Sequence, residues 1–298
     1  MSVLAPEYHD VRARGGVADL SDRVVLRFTG ADRVRYLNGQ LTRNVTSLPP
    51  GAALPACVCS ARGKLEADVW ITARPDAILL DAPPELAETL AGRLGRYIIA
   101  DDVEVADETG QGTLLHCFGW DPRPLEVTAI SARRFGVDGW DVWTGDARTN
   151  PAADHSLAGK ELLDLLCIER GVPQWGRELD GGTLPPEAGL DQTHIDYHKG
   201  CYIGQEVISR LRSVGHVNRT LRGFTAAQEL AAGMELFTPA GPGAVGRITS
   251  AAWSIGLDQW AALGYLKRGT SPAGMLARLP AAGSASVDIT DHPLPLLA

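Results

Sequence analysis

The densest group of chemically capable side chains in the sequence lies in residues 199 to 210. The octapeptide KGCYIGQE at its start supplies a lysine, a thiol, a phenol, an amide and a carboxylate, and its two glycines allow the backbone to bend or to approach another group closely. Cys201 stands between Lys199 and a predicted helix start, a setting that is compatible with a nucleophilic or redox-active thiol. A buried structural cysteine and a solvated helix entry are the competing interpretations. The residues alone leave this choice open.

The helix predicted after the octapeptide has an apolar face of Val207, Ile208 and Leu211. This arrangement places Glu206 and Arg210 four residues apart on one side of the helix. A local ion pair between these two side chains is the simplest explanation of their charges.

Two elements precede this segment and must position it. Residues 156 to 170 predict a helix with a broad apolar face, and Gly171 stands just beyond its end. Glu169 lies in the last turn, where a carboxylate opposes the helix dipole, so we expect a ligand or a basic partner for it. Residues 172 to 190 form a long irregular connection rich in glycine and proline, and long ordered loops in compact proteins are often functional.

A second candidate surface lies on a predicted strand at residues 65 to 72. Aliphatic residues at 65, 67, 69 and 71 alternate with Glu66, Asp68, Trp70 and Thr72. One face is therefore buried, and the other presents two carboxylates and an indole. Such a face suits the wall of a site for a flat, hydrogen-bonding heterocycle. The pattern alone favours a plain solvent-facing surface.

The remaining periodicities predict an α+β protein with antiparallel sheets. We expect strands at residues 23 to 28, 54 to 60, 78 to 81 and 103 to 105, and helices at 34 to 41 and 83 to 94. Short strands continue over residues 113 to 143, and residues 147 to 154 predict a loop. From residue 216 onward, short strands separated by glycine and proline predict a small all-β domain, most simply a barrel.

Composition excludes several classes of function. The 298 residues carry a net charge of -8 with 45% hydrophobic and 21% charged residues, which indicates a soluble protein without a footprint for duplex nucleic acid. No apolar run spans a membrane and the start lacks a secretory signal, so a cytoplasmic location is expected. There is no GxSxG hydrolase motif and no phosphate-binding loop.

The five cysteines argue against a disulfide framework because their number is odd and their spacing irregular. Cys57 and Cys59 lack the spacing common in metal-ligand pairs and predict a strand with two buried thiols. No metal site is therefore expected.

Taken with other segments, residues 199 to 210 resemble the signature of the YgfZ-type folate-binding proteins. These proteins are relatives of the glycine-cleavage T-protein, an aminomethyltransferase; they act in iron-sulfur cluster maintenance and in some bacteria support tRNA modification. Residues 30 to 42, 168 to 173, 186 to 191 and 246 to 250 also resemble family segments, in the family's order. The octapeptide is highly specific and the other segments support it.

The resemblance implies a three-domain ring around a channel that holds tetrahydrofolate. We expect a first α+β domain at residues 1 to 50 and 145 to 215, a second at 51 to 144, and a C-terminal β-barrel at 216 to 298. Glu169 matches the carboxylate that reads the pterin ring, and Asp68 matches the acidic position of the folate site. Cys201 matches the cysteine of the YgfZ branch and, with Lys199, is the candidate for catalysis. The predicted folate contacts are Asp68, Trp70, Glu169, Tyr202, Gln205, Glu206 and Arg210.

The leading hypothesis from the sequence is a tetrahydrofolate-binding accessory protein for the assembly or repair of iron-sulfur enzymes. Its partners would be the folate and iron-sulfur client or assembly proteins, without direct binding of duplex nucleic acid or membrane. The alternative is a folate-dependent aminomethyltransferase or related one-carbon transferase, because an acid at Asp68 is compatible with proton transfer. Whether the protein is an enzyme stays open at this point.

Overall fold

The computed structural model of the protein describes residues 4–125, 127–144, 155–280 and 285–297. The loop predicted at 147 to 154 lies outside these ranges. The α-helices of the described chain are α1 (Ala5–Arg14), α2 (Arg33–Gln40), α3 (Ala87–Gly95), α4 (Lys160–Arg170) and α5 (Gln205–Ser213). Its strands are β1 (Gly16–Asp19), β2 (Val24–Thr29), β3 (Ala53–Cys59), β4 (Leu65–Ala73), β5 (Ile78–Ala82), β6 (Glu104–Asp107), β7 (Thr113–Phe118), β8 (Ala129–Ala132), β9 (Gly139–Thr144), β10 (Arg219–Ala226), β11 (Glu235–Thr238), β12 (Gly241–Ser254), β13 (Gln259–Lys267), β14 (Leu276–Arg278), β15 (Val287–Asp288) and β16 (Thr290–His292).

A five-stranded antiparallel sheet in the order β3-β4-β5-β2-β6 forms the first layer. The alternation in β4 has the expected effect, because Ala67, Val69 and Ile71 are fully buried in an apolar core that also contains residues of α2 and α3. The opposite face is not plain solvent, since Trp70 and Thr72 on that face are also buried. The interpretation of this face as solvated is therefore wrong for its second half.

A four-stranded antiparallel sheet in the order β1-β7-β9-β8 packs with α1 and α4. Helix α4 begins at Lys160, four residues later than predicted, because Val17 pairs with the chain at Leu157 and the backbone there is extended. The helix ends as predicted, with Gly171 in the left-handed conformation at a φ of 67°.

The C-terminal part forms a nearly closed, barrel-like sheet of seven strands in the order β15-β14-β11-β12-β13-β10-β16. All of its pairings are antiparallel. The predicted fold class, α+β with antiparallel sheets and a C-terminal barrel, is confirmed. No helix in the described ranges is long and apolar enough to cross a membrane.

The predicted division into three domains stays a prediction. The five-stranded sheet takes β2 from before residue 50 and its other strands from the segment after it. The four-stranded sheet likewise combines β1 with strands from beyond residue 112. Hydrogen-bonded sheets group strands, but they do not show which segments fold independently.

Candidate functional site

The described chain has a cavity of about 1180 Å³, enough space for a ligand of drug-like size. Its wall combines the edge strand β3, β4, the turn after β8, the end of α4, the connection before α5, and β10. The site therefore lies where the three sheets meet. The long irregular connection singled out in the sequence contributes Val172 to Trp175 and Ala188 to Leu190 to this wall.

Asp68 of β4 lines the cavity opposite a histidine. Asp68 Oδ1 lies 3.1 Å from Nε2 of His194, and the other ring nitrogen, Nδ1, lies 2.7 Å from Oγ1 of Thr193. The first contact lacks the alignment of a hydrogen bond, so Oδ1 is shielded from solvent without a hydrogen-bond partner in the described part of the protein. Buried polar oxygens normally have such a partner. The orphaned oxygen at the cavity wall thus fits an acceptor for a donor group of a ligand.

Trp70 lies two residues further along the same face of β4 and also lines the cavity. Its ring is covered by a guanidinium, with Cζ of Arg134 4.7 Å from the ring centroid. A cation over the face of an indole is an attractive contact and restrains the plane of the ring. The indole is therefore held in place before any ligand binds.

Arg134 is itself fixed by two buried carboxylates from different sheets. It donates to Asp81 of β5 at 2.8 and 2.9 Å and to Asp141 of β9 at distances from 2.7 to 3.0 Å. Burial opposes charge here, but the two carboxylates prevail and raise the pKa of Arg134. Asp141 also contacts Nδ1 of His116 at 2.8 Å, and its pKa falls to about 2 despite burial because Arg134 and His116 stabilise the anion. This network joins two sheets behind the cavity wall.

Glu169 is buried away from the cavity. One carboxylate oxygen accepts a hydrogen bond from the Tyr8 hydroxyl at 3.0 Å and the other accepts one from Ser254 at 2.6 Å. Burial and the neighbouring carboxylate raise the pKa of Tyr8 to about 12, so the phenol keeps the proton that it donates. The partners of Glu169 are hydroxyls of α1 and β12, and not the basic side chain that its position at the helix end suggested. Its contact with a pterin stays a prediction.

Lys199 holds the end of helix α2. Its ammonium donates to the backbone carbonyls of Asn38 at 2.6 Å, Leu41 at 2.6 Å and Arg43 at 2.8 Å. The last carbonyls of a helix have no partner within the helix, and three acceptors match the three protons of an ammonium. Burial lowers the pKa of Lys199 to about 8. Through Arg43, which lines the cavity, Lys199 is connected to the cavity wall without being part of it.

The other motif residues lie on α5 and the turn before it. Cys201, Glu206 and Arg210 are exposed, whereas Tyr202 is buried in an apolar cluster and Gln205 is half-buried. Glu206 and Arg210 make no ion pair within the described ranges, so the interpretation of their charges as a local ion pair is wrong. None of the predicted site residues between 199 and 210 is among the described residues that line the cavity. The roles predicted for these side chains stay predictions.

The cysteines separate into two environments. Cys57, Cys59, Cys117 and Cys167 are buried, and Cys201 is exposed. The buried thiols of β3 are confirmed, and the interpretation of Cys201 as a buried structural cysteine is wrong. Within the described chain, no group of three or more potential ligands could hold a metal ion.

Comparison with known proteins agrees with this architecture, although no family model matches the chain. An aminomethyltransferase of Rubrobacter xylanophilus is 29% identical over 249 residues, covering 73% of this chain and 67% of the relative. The tRNA-modifying protein YgfZ of Aliivibrio fischeri is 25% identical over 230 residues, covering 71% of this chain and 72% of the relative. An iron-sulfur cluster assembly factor IBA57 homologue of Chaetomium globosum is 28% identical over 244 residues; the alignment covers 68% of this chain and about half, 54%, of the relative.

These similarities, to YgfZ proteins, to IBA57 homologues and to an aminomethyltransferase, support a YgfZ-type protein related to the glycine-cleavage T-proteins. The fold is shared with a solved structure as well. The glycine cleavage system aminomethyltransferase T of Bartonella henselae superposes with a TM-score of 0.81 over 95% of this chain and 86% of that structure, at 19% identity. At this level of identity the likeness concerns the fold.

Two residues predicted from the sequence as ligand contacts, Asp68 and Trp70, line the cavity. The sequence did not indicate the side chains around them. His194 and Arg43 lie in irregular segments, where no periodicity marks a side chain as facing a site. The long connection at residues 172 to 190, which ends four residues before His194, was the nearest signal. Arg134 and Arg170 stand beside turns and helix ends, where an arginine is ordinarily solvated.

Proposed function

We propose that this YgfZ-type protein binds tetrahydrofolate in the cavity between its sheets and supports the assembly or repair of iron-sulfur enzymes. The observation that carries the proposal is the pair formed by Asp68 and Trp70, which face the cavity from one strand. A carboxylate accepts two parallel hydrogen bonds from the amino group and ring nitrogen of a pterin. The indole offers the flat apolar surface that such a ring needs.

The residues present fit this ligand. The unpartnered Oδ1 of Asp68 provides an acceptor where the pterin would present donors. Trp70 is held by Arg134 before a ligand arrives, so little side-chain entropy remains to be lost on binding. Tetrahydrofolate would add the one-carbon chemistry of its reduced pterin, and the chain would bind and orient it.

The iron-sulfur part of the proposal rests on the relatives and on the exposed thiol. Relatives are named as a tRNA-modifying protein and as an iron-sulfur cluster assembly factor homologue. Cys201 lies at the surface, where a client or assembly protein can reach it. We propose that Cys201 acts toward such partners, and that Lys199 supports the backbone between this surface and the cavity. Support of tRNA modification would follow from an iron-sulfur enzyme among the clients.

Calorimetric titration with tetrahydrofolate under reducing, anaerobic conditions tests the folate part. We expect binding by the wild type, and weakening by about tenfold or more for Asp68→Asn and for Trp70→Leu, because each removes a charge-assisted or stacking contact. Asp76→Asn, on an exposed turn, is the matched control and should bind as the wild type does. Equal affinity of all four proteins would place the folate elsewhere.

Deletion of the gene tests the iron-sulfur part. Enzymes that need a [4Fe-4S] cluster should lose activity under oxidative stress and regain it with the wild-type gene. Cys201→Ser should fail to restore them, whereas Cys117→Ala, which removes a buried thiol, should restore them if the variant folds. Normal activity of these enzymes in the deletion strain would contradict the proposal.

The second candidate function is folate-dependent aminomethyl transfer, favoured by the Asp68 and His194 pair and by the aminomethyltransferase relative. In that reaction the donor's methylene carbon forms bonds to two folate nitrogens, while its bonds to the amine and to the rest of the donor break. The two protons released by the nitrogens go to these two leaving groups, and Asp68 would assist this proton movement with His194 beside it. Incubation with tetrahydrofolate and amine donors should then yield methylenetetrahydrofolate. Binding without turnover favours the accessory function.

A further inference from the structure

The cavity wall is cationic although the chain as a whole carries a net charge of -8. Among the described residues that line it, the acidic side chains are Asp68 and Asp138. The basic side chains of the same wall are Arg23, Arg43, Arg133, Arg134, Arg170 and Arg222. Those guanidinium groups that are not neutralised by carboxylates behind the wall can attract an anionic ligand group.

Most of these arginines already have partners. Arg23 and Arg134 pair with Asp81, and Arg222 pairs with Asp291. Arg133 lies 3.4 Å from Asp138 and also donates to the Gly136 carbonyl. Arg43 donates to the carbonyls of Pro55 and Thr193. These contacts serve the fold and leave little capacity for a ligand.

Arg170 differs from the other lining arginines. Its guanidinium makes no hydrogen bond or ion pair with any described residue, and its Nε is shielded from solvent. The adjacent carboxylate of Glu169 is engaged by Tyr8 and Ser254. Burial and the nearby Arg12 guanidinium lower the pKa of Arg170. A half-buried guanidinium without any acceptor is costly, and an anion that contacts its accessible part would reduce that cost.

The position of Arg170 is fixed by its surroundings. It is the last residue of α4, and a Cβ on Gly136 would lie 3.0 Å from its Cβ, so the facing turn packs closely on the arginine stem. A cation at the end of a helix is stabilised by the helix dipole, which explains the charge of this residue. The dipole does not explain an Nε that is withdrawn from water and lacks an acceptor.

We propose that Arg170 forms an anion subsite of the cavity and binds a carboxylate of the glutamate tail of the folate. This inference rests on the proposed folate function and extends it from the ring to the tail. Asp68 and Trp70 would bind the pterin, and Arg170 would select ligands that carry an anionic tail. Folates with more glutamate residues would bind at least as tightly as the monoglutamate.

Two ligands that differ in the tail test the subsite. Tetrahydrofolate carries the glutamate, and 6-methyltetrahydropterin has the same reduced ring without any carboxylate. For Arg170→Gln we expect about tenfold to a hundredfold weaker binding of tetrahydrofolate, as befits loss of a charge-assisted contact, and unchanged binding of the pterin. Arg170→Lys should retain part of the affinity. Arg268→Gln, on an exposed turn after β13, is the matched control and should bind both ligands as the wild type does.

The outcomes separate this inference from the proposed function. If the wild type binds both ligands and Arg170→Gln weakens both equally or neither, the subsite is refuted while the folate function stands. If the wild type binds neither, the folate function fails and the subsite with it. A folded Arg170→Gln protein, checked by its melting temperature, is required for each comparison. A further outcome would be that inorganic phosphate competes with tetrahydrofolate and that Arg170→Gln weakens the binding of both ligands equally. Arg170 would then bind a free anion and not the glutamate tail, and the proposal would be overturned.

Discussion

Removal of the Arg134 guanidinium should destabilise the protein strongly at neutral pH. In Arg134→Met the side chain keeps an unbranched apolar stem, but Asp81 and Asp141 lose their shared partner. Both carboxylates are almost completely buried, with 1% and 0% of the side chains exposed. Asp81 keeps Arg23 and Asp141 keeps His116, so neither is left without any contact.

Two independent estimates give the size of the effect. The pKa of Asp141 is about 2 instead of 3.8, a difference that corresponds to about 2 kcal/mol of stabilisation of the anion in the folded state. Removing one partner of a buried ion pair typically costs about 3 to 5 kcal/mol, since a buried charge is left uncompensated. We expect a loss of about 3 kcal/mol in the free energy of unfolding at pH 7.

The pH dependence gives the prediction a sign. Because the pKa of Asp141 is lower in the folded state, its stabilisation is present in full above about pH 4 and is lost as the pH falls toward 2. The deficit of Arg134→Met should therefore shrink at acidic pH, where protonation removes the charges that the arginine compensates. Replacing the carboxylate as well, in Arg134→Met with Asp141→Asn, should recover part of the loss.

Urea unfolding of the wild type, both single variants and the double variant, at pH 7 and at about pH 2.5, measures these free energies. Arg133→Met is the matched control, since its ion pair is exposed and should contribute less than about 1 kcal/mol. A deficit for Arg134→Met below about 1 kcal/mol, or one that is the same at both pH values, would refute the reasoning.

Four further variants probe the motif and its surroundings. Gly204→Ala should lose about 2 kcal/mol in urea unfolding, because φ is 89° and a Cβ would lie 2.6 Å from the Ser60 carbonyl oxygen; an unchanged midpoint would show that the turn can relax. Lys199→Met should lose about 2 to 4 kcal/mol in the free energy of unfolding, because three carbonyls at the end of α2 lose their donor. An almost unchanged free energy would mean that water replaces the ammonium. Cys201→Ser should change stability by less than about 0.5 kcal/mol, because this thiol is exposed. Cys167→Ser buries a hydroxyl and should be measurably destabilised. Equal melting temperatures of the two variants would contradict the difference in burial between the two thiols.

Periodic elements could be predicted from the sequence because their residues repeat a local geometry. The alternation in β4 predicts the strand and its buried face. Gly171 predicts the end of α4, because glycine readily adopts the left-handed backbone conformation found there. The second face of β4 could not be read in the same way. Whether Trp70 meets water or a neighbouring sheet depends on Ala132 and Ile130, which lie about sixty residues further along the chain.

The candidate site was less predictable because its contacts join residues that are far apart in the sequence. Residues 199 to 210 carry many reactive groups, yet sequence does not state what each group contacts. Lys199 uses all three of its protons on backbone carbonyls in the last turn of α2 and just after it. The cavity is instead built from single side chains of distant segments. Asp68 and His194, for example, meet only because β4 and the connection before α5 lie side by side.

The uneven distribution of the cysteines makes the protein convenient to label. Four thiols are buried and Cys201 is exposed, so a maleimide dye added to the native protein should react at this one position without any cysteine being removed first. The turn between β3 and β4 packs against α5, because a Cβ added to Gly63 would lie 3.0 Å from Cβ of Val207. The other end of this hairpin forms part of the cavity wall. A fluorophore on Cys201 therefore sits just before α5, the helix that packs on one end of the hairpin, while the opposite end of the hairpin lines the cavity. This placement is suited to following binding by fluorescence in real time.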